Sequence, residues 1–508
     1  MFLFAFVPIA IILALMVGFH WGASRAGAAG YISALIIAVF VFGSTGEVLA
    51  VAHGKALLLT VDVLMIIWAA FLLFRVADEA GAIRTIGKAL PYLTADRGMQ
   101  ALVIGWVFAS FLQGVGGFGV PVAVIAPILV GLGFTPLSAV VIPSVGHSWA
   151  VTFGSLGSSF QALMAATGLE WQTLASPAAI FLGIAGIAAG LLVAHAAGGW
   201  RTLRRLAIPA VILGIVMASV QFLAATSGLW NIGSFLGGLA GLIVALPLAR
   251  KYHGEHDRQE GFETRPLLIA LSGYAILIVI TLGIQLIPPV KHALSFYVIQ
   301  VPFPAVTTSL GYTTAAGLGR KIPLFRHAGT ILACASLLAF LVYRKAGLYR
   351  PGAGRQILTG TLRKVISSSV GIASMVAMAV VMQHAGMTDT LARGLAGSMG
   401  RAFPVIAPWI GALGAFMTGS NTNSNVVFAA LQMRTAELLA YPVALILAAQ
   451  TAGGALGSVI APTKVVVGAS TAGMAGKEGD VMRKMFAYTG TLILLMSALA
   501  LIATAIFS

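Results

Sequence analysis

The chain has 508 residues, of which 59% are hydrophobic and only 9% are charged. This composition excludes a water-soluble globular protein, because long apolar runs recur along the whole chain and need a lipid surrounding. The formal net charge of +16 does not indicate nucleic-acid binding, since most basic residues lie in short loops between the apolar runs, as the positive-inside rule describes.

The apolar runs predict an all-α integral membrane protein. They are roughly 20 residues long without strict alternation, which favours helices over the strands of an outer-membrane barrel. The first run lacks a charged start and a convincing cleavage site, so we expect a retained helix and not a signal peptide. In total we expect about 12 to 14 membrane segments, at residues 2–19, 28–42, 56–74, 99–112, an interrupted region 120–160, 177–197, 206–225, 229–248, 266–287, 328–343, 365–382, 402–417, an interrupted region 426–471, and 486–507.

Two short stretches break this helical pattern. Residues 113–119 contain four glycines and precede Pro121, and residues 418–425 contain Gly419 with three asparagines among serines and threonines. Irregular polar backbone at membrane depth is tolerated only where it lines a protein cavity. Two such interruptions, one in each half of a chain, are typical of the substrate site of a secondary transporter.

The basic loops predict the arrangement of the two halves. Counting spans between these loops places both termini outside and inverts the second half relative to the first. Residues 1–249 form the first half, with repeat 1 at about 56–173, and residues 266–508 form the second, with repeat 2 at about 361–477. Residues 250–265 are a charged cytoplasmic linker. The segment 289–327 falls outside although it carries four basic residues, Lys291, Arg320, Lys321 and Arg326.

The interruptions supply candidate groups for binding an anion. The N-terminus of a broken helix presents free N–H groups and the positive end of its dipole, which suits a carboxylate. Glycines allow close approach of the backbone, and small polar side chains add hydrogen-bond donors. For the glycines and for the small polar residues alike, the alternative role is packing between helices. The candidates are Gly116, Gly117 and Gly119 in the first interruption, and Ser420, Asn421, Thr422 and Asn425 in the second.

Three ionisable residues inside predicted spans are further candidates, because charges at membrane depth are costly. Asp62 is the best acid for carrying a proton, with a packing partner as its alternative role. Lys464 lies in the second interrupted region and can bind an anion or extend to the interface. His147 occupies a similar place in the first region, where a buried, hydrogen-bonded histidine is the plainer interpretation. We find no metal-ligand spacing, nucleotide loop or catalytic triad, which argues against an enzyme and against a cofactor.

Several stretches resemble the L-lactate permease family. They are Gly117-Phe118-Gly119-Val120-Pro121-Val122-Ala123, Leu129-Val130-Gly131-Leu132-Gly133-Phe134, Thr418-Gly419-Ser420, Phe428-Ala429-Ala430-Leu431-Gln432 and Gly476-Lys477-Glu478. Ser420-Asn421-Thr422 is also similar to a signature of the wider ion transporter superfamily, which pairs inverted repeats with re-entrant hairpins. The resemblance implies symport of L-lactate or a related 2-hydroxy monocarboxylate with protons, in the inner membrane of a prokaryote.

The chain departs from the family pattern at three positions. Gln113 and Asn421 stand where the family usually has acids, and Lys464 where it tends to have a small hydroxyl residue. All three changes make the site more positive. They favour, as an alternative, a dicarboxylate or sulfonate with different ion coupling. An anion channel is the alternative from another class, and a homo-oligomer stays open.

Overall fold

The computed structural model describes residues 1–19, 21–117, 119–252 and 264–507. Helices dominate them, as predicted. The first half contains α1 (Phe2–Leu13), α2 (Ala23–Phe40), α3 (Gly46–Glu79), α4 (Ala82–Ala89), α5 (Arg97–Leu102), α6 (Ala109–Val115), α7 (Val120–Gly131), α8 (Pro136–His147), α9 (Ser158–Thr167), α10 (Trp171–Ala224) and α11 (Gly233–Arg250). The second half contains α12 (Thr264–Leu286), α13 (Pro288–Ala293), α14 (Ala328–Lys345), α15 (Ala353–His384), α16 (Met387–Met399), α17 (Phe403–Thr418), α18 (Asn421–Leu438), α19 (Val443–Ser458), α20 (Pro462–Thr471) and α21 (Glu478–Phe507).

Within the described residues, 11 continuous helical segments are long and apolar enough to cross a membrane. The number is below the predicted range because adjoining spans count as one segment. Helix α10 is an example: its backbone leaves the helical region at Gly198 and Gly199. Beyond that bend the chain runs back along the first part of α10. The two parts are in contact, because a Cβ atom added to Gly214 would lie only 2.9 Å from a side-chain atom of Ile187. The prediction of two separate spans here was correct.

Two helical hairpins enter the interior of the protein and turn at the predicted interruptions. The first hairpin has an outgoing arm made of α5, a π-helical stretch (Val103–Phe108) and α6. Its returning arm is α7. A Cβ on Gly133 would lie 2.8 Å from an Nη atom of Arg97, which brings the two ends together. In the second hairpin, α17 runs to the turn and α18 runs back, and Gln432 Nε2 donates to the carbonyl of Ala407 at 2.9 Å.

Each hairpin packs against an interrupted span. A Cβ on Gly146 in α8 would meet the carbonyl oxygen of Gly105 in the first hairpin, and a Cβ on Gly453 in α19 would meet that of Pro408 in the second. The spans α8–α9 and α19–α20 both lose helical geometry midway, at residues 148–157 and 459–461. Glycine is required at the packed positions because the helix backbones touch there.

A feature that the sequence analysis missed is a small β-ribbon after α13. It consists of β1 (Val298–Ile299), β2 (Pro302–Phe303), β3 (Val306–Thr307), β4 (Thr313–Thr314), β5 (Gly317–Leu318) and β6 (Ile322–Pro323). Successive antiparallel pairs join β3 to β4, β2 to β5 and β1 to β6. The ribbon lies along the N-terminal half of α3, where Ser309 N donates to the carbonyl of Gly43 at 2.8 Å.

The predicted division into two halves and a linker stays a prediction. Residues 253–263 of the linker lie outside the described residues. At its margins, Arg250 ends α11 and Thr264 begins α12, so the described residues of the predicted linker are partly helical.

Candidate functional site

The interrupted segments of the two halves meet in the interior. A Cβ on Gly119, at the turn of the first hairpin, would lie 3.8 Å from Cγ of Lys464 at the start of α20. A Cβ on Gly419, at the turn of the second hairpin, would lie 2.7 Å from Oγ1 of Thr463. Helices α7 and α20 then leave this meeting point side by side, with Gly468 against Val122. Residues that are more than 300 positions apart in the sequence thus form one candidate site.

Lys464 supplies the positive charge of this site. It is half-buried, and its Nζ donates to Oγ of Ser458 at 3.1 Å. Among the described residues, no carboxylate forms an ion pair with Lys464. A lysine without an anionic partner at membrane depth is costly, so an anion from outside the protein is its natural partner.

The backbone around Lys464 adds the positive ends of short helices. Helix α7 begins after Gly119 and α20 begins after Ala461, and neither residue provides a side-chain cap. The φ angles of Gly117, Gly119 and Gly419 are +45°, +87° and +70°, a region that glycine adopts readily. Gly117 and Gly119 turn the chain into α7, so the uncapped N-termini of α7 and α20 both begin beside an ammonium group, an arrangement that favours anions.

The asparagine cluster is more regular than the sequence suggested. The predicted break at 418–425 is confined to Gly419 and Ser420, and Asn421 already begins α18. Ser420 caps this helix by accepting a hydrogen bond from the backbone N–H of Asn423. A capped first turn is stable because the cap satisfies a donor that the helix leaves free. The expectation of irregular backbone throughout this stretch was therefore wrong.

The asparagine side chains connect the two halves. Asn421 Nδ2 donates to Oγ1 of Thr152 at 3.1 Å and to the carbonyl of Thr451 at 3.2 Å. Asn425 Nδ2 donates to the carbonyl of Ser159 and to Oγ1 of Thr451, both at 2.9 Å. The hydroxyl of Thr422 pairs with that of Ser159 at 3.1 Å. These donors bind protein acceptors in this conformation, and their predicted role toward the substrate stays a prediction. Thr152 and Thr451 were missed, because neither carries a local sequence signal.

Several buried polar atoms near this centre have no hydrogen-bond partner among the described residues, and they include Oδ1 of Asn421 and Oδ1 of Asn423. His147 is fully buried; its Nδ1 contacts the carbonyl of Pro143 at 2.6 Å, whereas its Nε2 is unpaired. Oε1 of Gln113 is also unpaired. His147 lies within electrostatic range of Lys464. Unsatisfied buried polar atoms are rare in native proteins and often mark functional sites. Gly116, by contrast, faces the Phe74 ring, which indicates packing.

Asp62 lies away from this centre, in a separate charged cluster. Its carboxylate accepts from Nε of Arg320 at 2.8 Å, contacts Nε2 of His327 at 2.9 Å, and accepts from Nε2 of Gln161 at 2.5 Å. Asp62 is fully buried, and its partners come from α9, from the β-ribbon between β5 and β6, and from the start of α14. The sequence analysis missed all three partners, since they lie 99 to 265 residues further along the chain.

Comparison with known proteins identifies the family. A family profile described as L-lactate permease matches residues 1–507. The chain belongs to the L-lactate permease family. The L-lactate permease of Bacillus subtilis (strain 168) is 28% identical, over 94% of this chain and 91% of the relative. That of Salmonella typhimurium is 28% identical over 82% and 80%, and the glycolate permease GlcA of Escherichia coli (strain K12) is 26% identical over 95% and 91%.

Membership in the L-lactate permease family makes this protein a transporter and not an enzyme, in agreement with the sequence analysis. With 11 apolar segments among its described residues, it is a multi-pass protein of the inner membrane. Among solved structures, the Alcanivorax borkumensis YdaH transporter is similar with a TM-score of 0.47 and 16% identity, covering 86% of this chain and 84% of that one. Neisseria gonorrhoeae MtrF, described among antimetabolite efflux pumps, has a TM-score of 0.47 and 15% identity, covering 94% and 84%.

Proposed function

We propose that this permease imports L-lactate or a related short 2-hydroxy monocarboxylate, such as glycolate, together with protons. The observation that carries the proposal is the ammonium group of Lys464, which lies beside the uncapped starts of α7 and α20 and has no carboxylate partner among the described residues. The names of the relatives, L-lactate permease and glycolate permease, indicate the class of anion.

In this proposal the carboxylate of the substrate binds between Lys464 and the uncapped helix N-termini that follow Gly119 and Ala461. One ammonium balances one carboxylate, which suits a monocarboxylate. The unpaired Oε1 of Gln113 and the Ser458 hydroxyl, which contacts Lys464, are the proposed partners of the substrate's 2-hydroxyl. The amides of Asn421 and Asn425 join the second hairpin to the interrupted spans, so they fix the position of the binding backbone.

Asp62 is the proposed proton carrier. Protonation would remove the negative charge that holds Arg320 and His327 in place, and deprotonation would restore it. A buried acid with a basic partner on another segment can thus couple a proton to a movement between those segments. His327 is a second titratable group in the cluster, and the proton can reside on either member of the pair.

We also propose that the two units of hairpin and interrupted span are inverted repeats. The contacts within each unit correspond: in each one the hairpin's outgoing helix and the interrupted span pack through a glycine, Gly146 in one and Gly453 in the other. In such an inverted pair, whose hairpin turns meet in the interior, the open ends of the two hairpins would face opposite sides of the membrane. Such an arrangement would give alternating access by movement of one unit against the other.

Uptake by proteoliposomes tests the proposed function. Purified protein should accumulate labelled L-lactate when an inward proton gradient is imposed, and unlabelled glycolate should compete. Counterflow of labelled substrate separates a carrier from an anion channel, because a channel shows no exchange-driven accumulation. If a dicarboxylate or a sulfonate competes at much lower concentration than L-lactate and glycolate, the substrate proposal is wrong. Accumulation of L-lactate without any dependence on the proton gradient would contradict proton coupling.

A further inference from the structure

A charged cavity lies apart from the Lys464 site, between the β-ribbon and the membrane helices. Its volume is about 460 Å³. Its charged lining residues are Asp62, Glu170, Lys291, Arg320, Lys321 and Arg326. Four of these six side chains are cationic. These four cationic residues are the same four that carry positive charge in segment 289–327, which the positive-inside rule does not predict for an external segment. Their common location in one cavity explains why that segment is basic.

The positive charge of this cavity is only partly neutralised. Asp62 is engaged by Arg320 and His327, and the exposed Glu170 forms no ion pair among the described residues. Lys291, Lys321 and Arg326 likewise have no carboxylate partner there. Arg326 donates to Oγ of Ser295 at 3.0 Å, but its buried Nε has no acceptor. The cavity therefore has unsatisfied donors and a surplus of positive charge, which concentrates small anions.

Arg320 at the floor of the cavity retains donors for a ligand. A guanidinium group has five N–H donors, and the described contact to Asp62 uses only Nε. Arginine commonly binds a carboxylate through two parallel hydrogen bonds. A small carboxylate in the cavity can therefore bind Arg320 while the contact between Arg320 and Asp62 persists.

The floor of the cavity also connects to the interior site. Gln161, which donates to Asp62, lies in the first turns of α9. Two residues earlier, Ser159 contacts the start of α18 through Thr422 and Asn425. One helical turn of α9 thus links the cavity floor to the turn of the second hairpin.

We propose that this cavity is a capture site for the carboxylate substrate, in series with the Lys464 site. The inference rests on the proposed function for the identity of the anion. Lys291, Lys321 and Arg326 attract the anion from solution, and Arg320 receives it at the floor, beside Asp62 and Gln161. The cavity raises the local concentration of substrate, and it has no part in the affinity of the interior site.

The test is the double substitution Lys291→Gln and Lys321→Gln, since both lysines are exposed and their loss should not affect folding. The matched control is Arg401→Gln. Arg401 is exposed and lies outside the cavity lining. At low salt and sub-saturating L-lactate, the double variant should take up substrate about tenfold more slowly, with an unchanged maximal rate and a weaker dependence on salt. The Arg401→Gln variant should behave like the wild type.

A second measurement does not depend on the identity of the substrate. Trp171 and Trp230 line the cavity, so iodide that accumulates there should quench their fluorescence. Quenching should fall in the double variant but not in Arg401→Gln, and neutral acrylamide should quench all three proteins equally. Equal iodide quenching in all three would overturn the capture site. If quenching falls in the double variant while the wild type transports no L-lactate or glycolate, the cavity binds anions and the proposed function is wrong.

Discussion

Replacing Lys464 with methionine tests the interior site most directly. Methionine keeps an unbranched apolar stem and removes only the ammonium group. Ser458, which accepts from Lys464, also donates to the carbonyl of Ala455 at 2.9 Å, so its hydroxyl keeps a partner in the variant. Removing a charge at membrane depth also favours insertion. We therefore expect Lys464→Met to fold and to insert normally.

The effect on substrate binding should be large. A hydrogen bond to a charged group contributes about 1.5 to 3 kcal/mol. At about 1.4 kcal/mol for each factor of ten, its loss should weaken binding roughly 10- to 150-fold. Lys477→Met is the control. Lys477 is exposed after α20, and its replacement by methionine removes the same positive charge at a position away from the site.

Two assays measure this effect. The first is the concentration dependence of L-lactate uptake in proteoliposomes. The second is a thermal-shift titration, in which ligand at 100 times its dissociation constant should stabilise the wild type by about 2.7 kcal/mol and the variant much less. Wild-type affinity in Lys464→Met, with normal expression, would refute the assignment of Lys464 to the substrate.

Three further predictions concern coupling and packing. Asp62→Asn should abolish the accumulation of L-lactate by a proton gradient while sparing exchange; gradient-driven uptake in this variant would place the proton carrier elsewhere. Asn425→Ala should lower the free energy of unfolding by about 1 to 3 kcal/mol, because two buried acceptors lose their donor. If its unfolding temperature is unchanged and only the KM for L-lactate rises, the amide binds substrate instead. Gly453→Ala should cost about 1 to 3 kcal/mol or more, since its Cβ would meet the backbone of Pro408, whereas exposed Gly397→Ala should be neutral or stabilising in thermal unfolding.

The membrane helices were predictable because their signal is local. An apolar run of about 20 residues must form a helix at membrane depth, whatever its neighbours are. Span 328–343, for example, corresponds to α14 within a few residues. The turns of the hairpins were also predictable, since Gly117, Gly119 and Gly419 disturb a helical pattern and the structure gives each a positive φ.

Residues that depend on distant partners were not predictable. The sequence indicates that Asp62 is costly in a membrane, but it does not indicate Arg320 or His327, which the β-ribbon and the start of α14 bring to it. The ribbon itself has strands of two residues each, too short to show alternation. The sequence analysis also overestimated the length of the break at 418–425, because distant hydrogen-bond partners stabilise the helix there. The amide of Asn425 in α18 donates to α9 and α19, across the molecule.

In the proposed mechanism, the two charged regions have separate roles in transport. The interior site around Lys464 has one cation and no carboxylate partner among the described residues, so its charge is neutralised only when the anion is present. The cavity at Arg320 keeps a carboxylate, Asp62, in permanent contact with two basic groups. The negative charge of an anion bound to Arg320, beside Asp62, makes protonation of Asp62 more favourable, and protonation of Asp62 in turn strengthens the binding of the anion. Such reciprocity between two ligands is a thermodynamic necessity. Coupling between a proton and a carboxylate can therefore arise at the Asp62 cluster even though Gln113 and Asn421 cannot titrate.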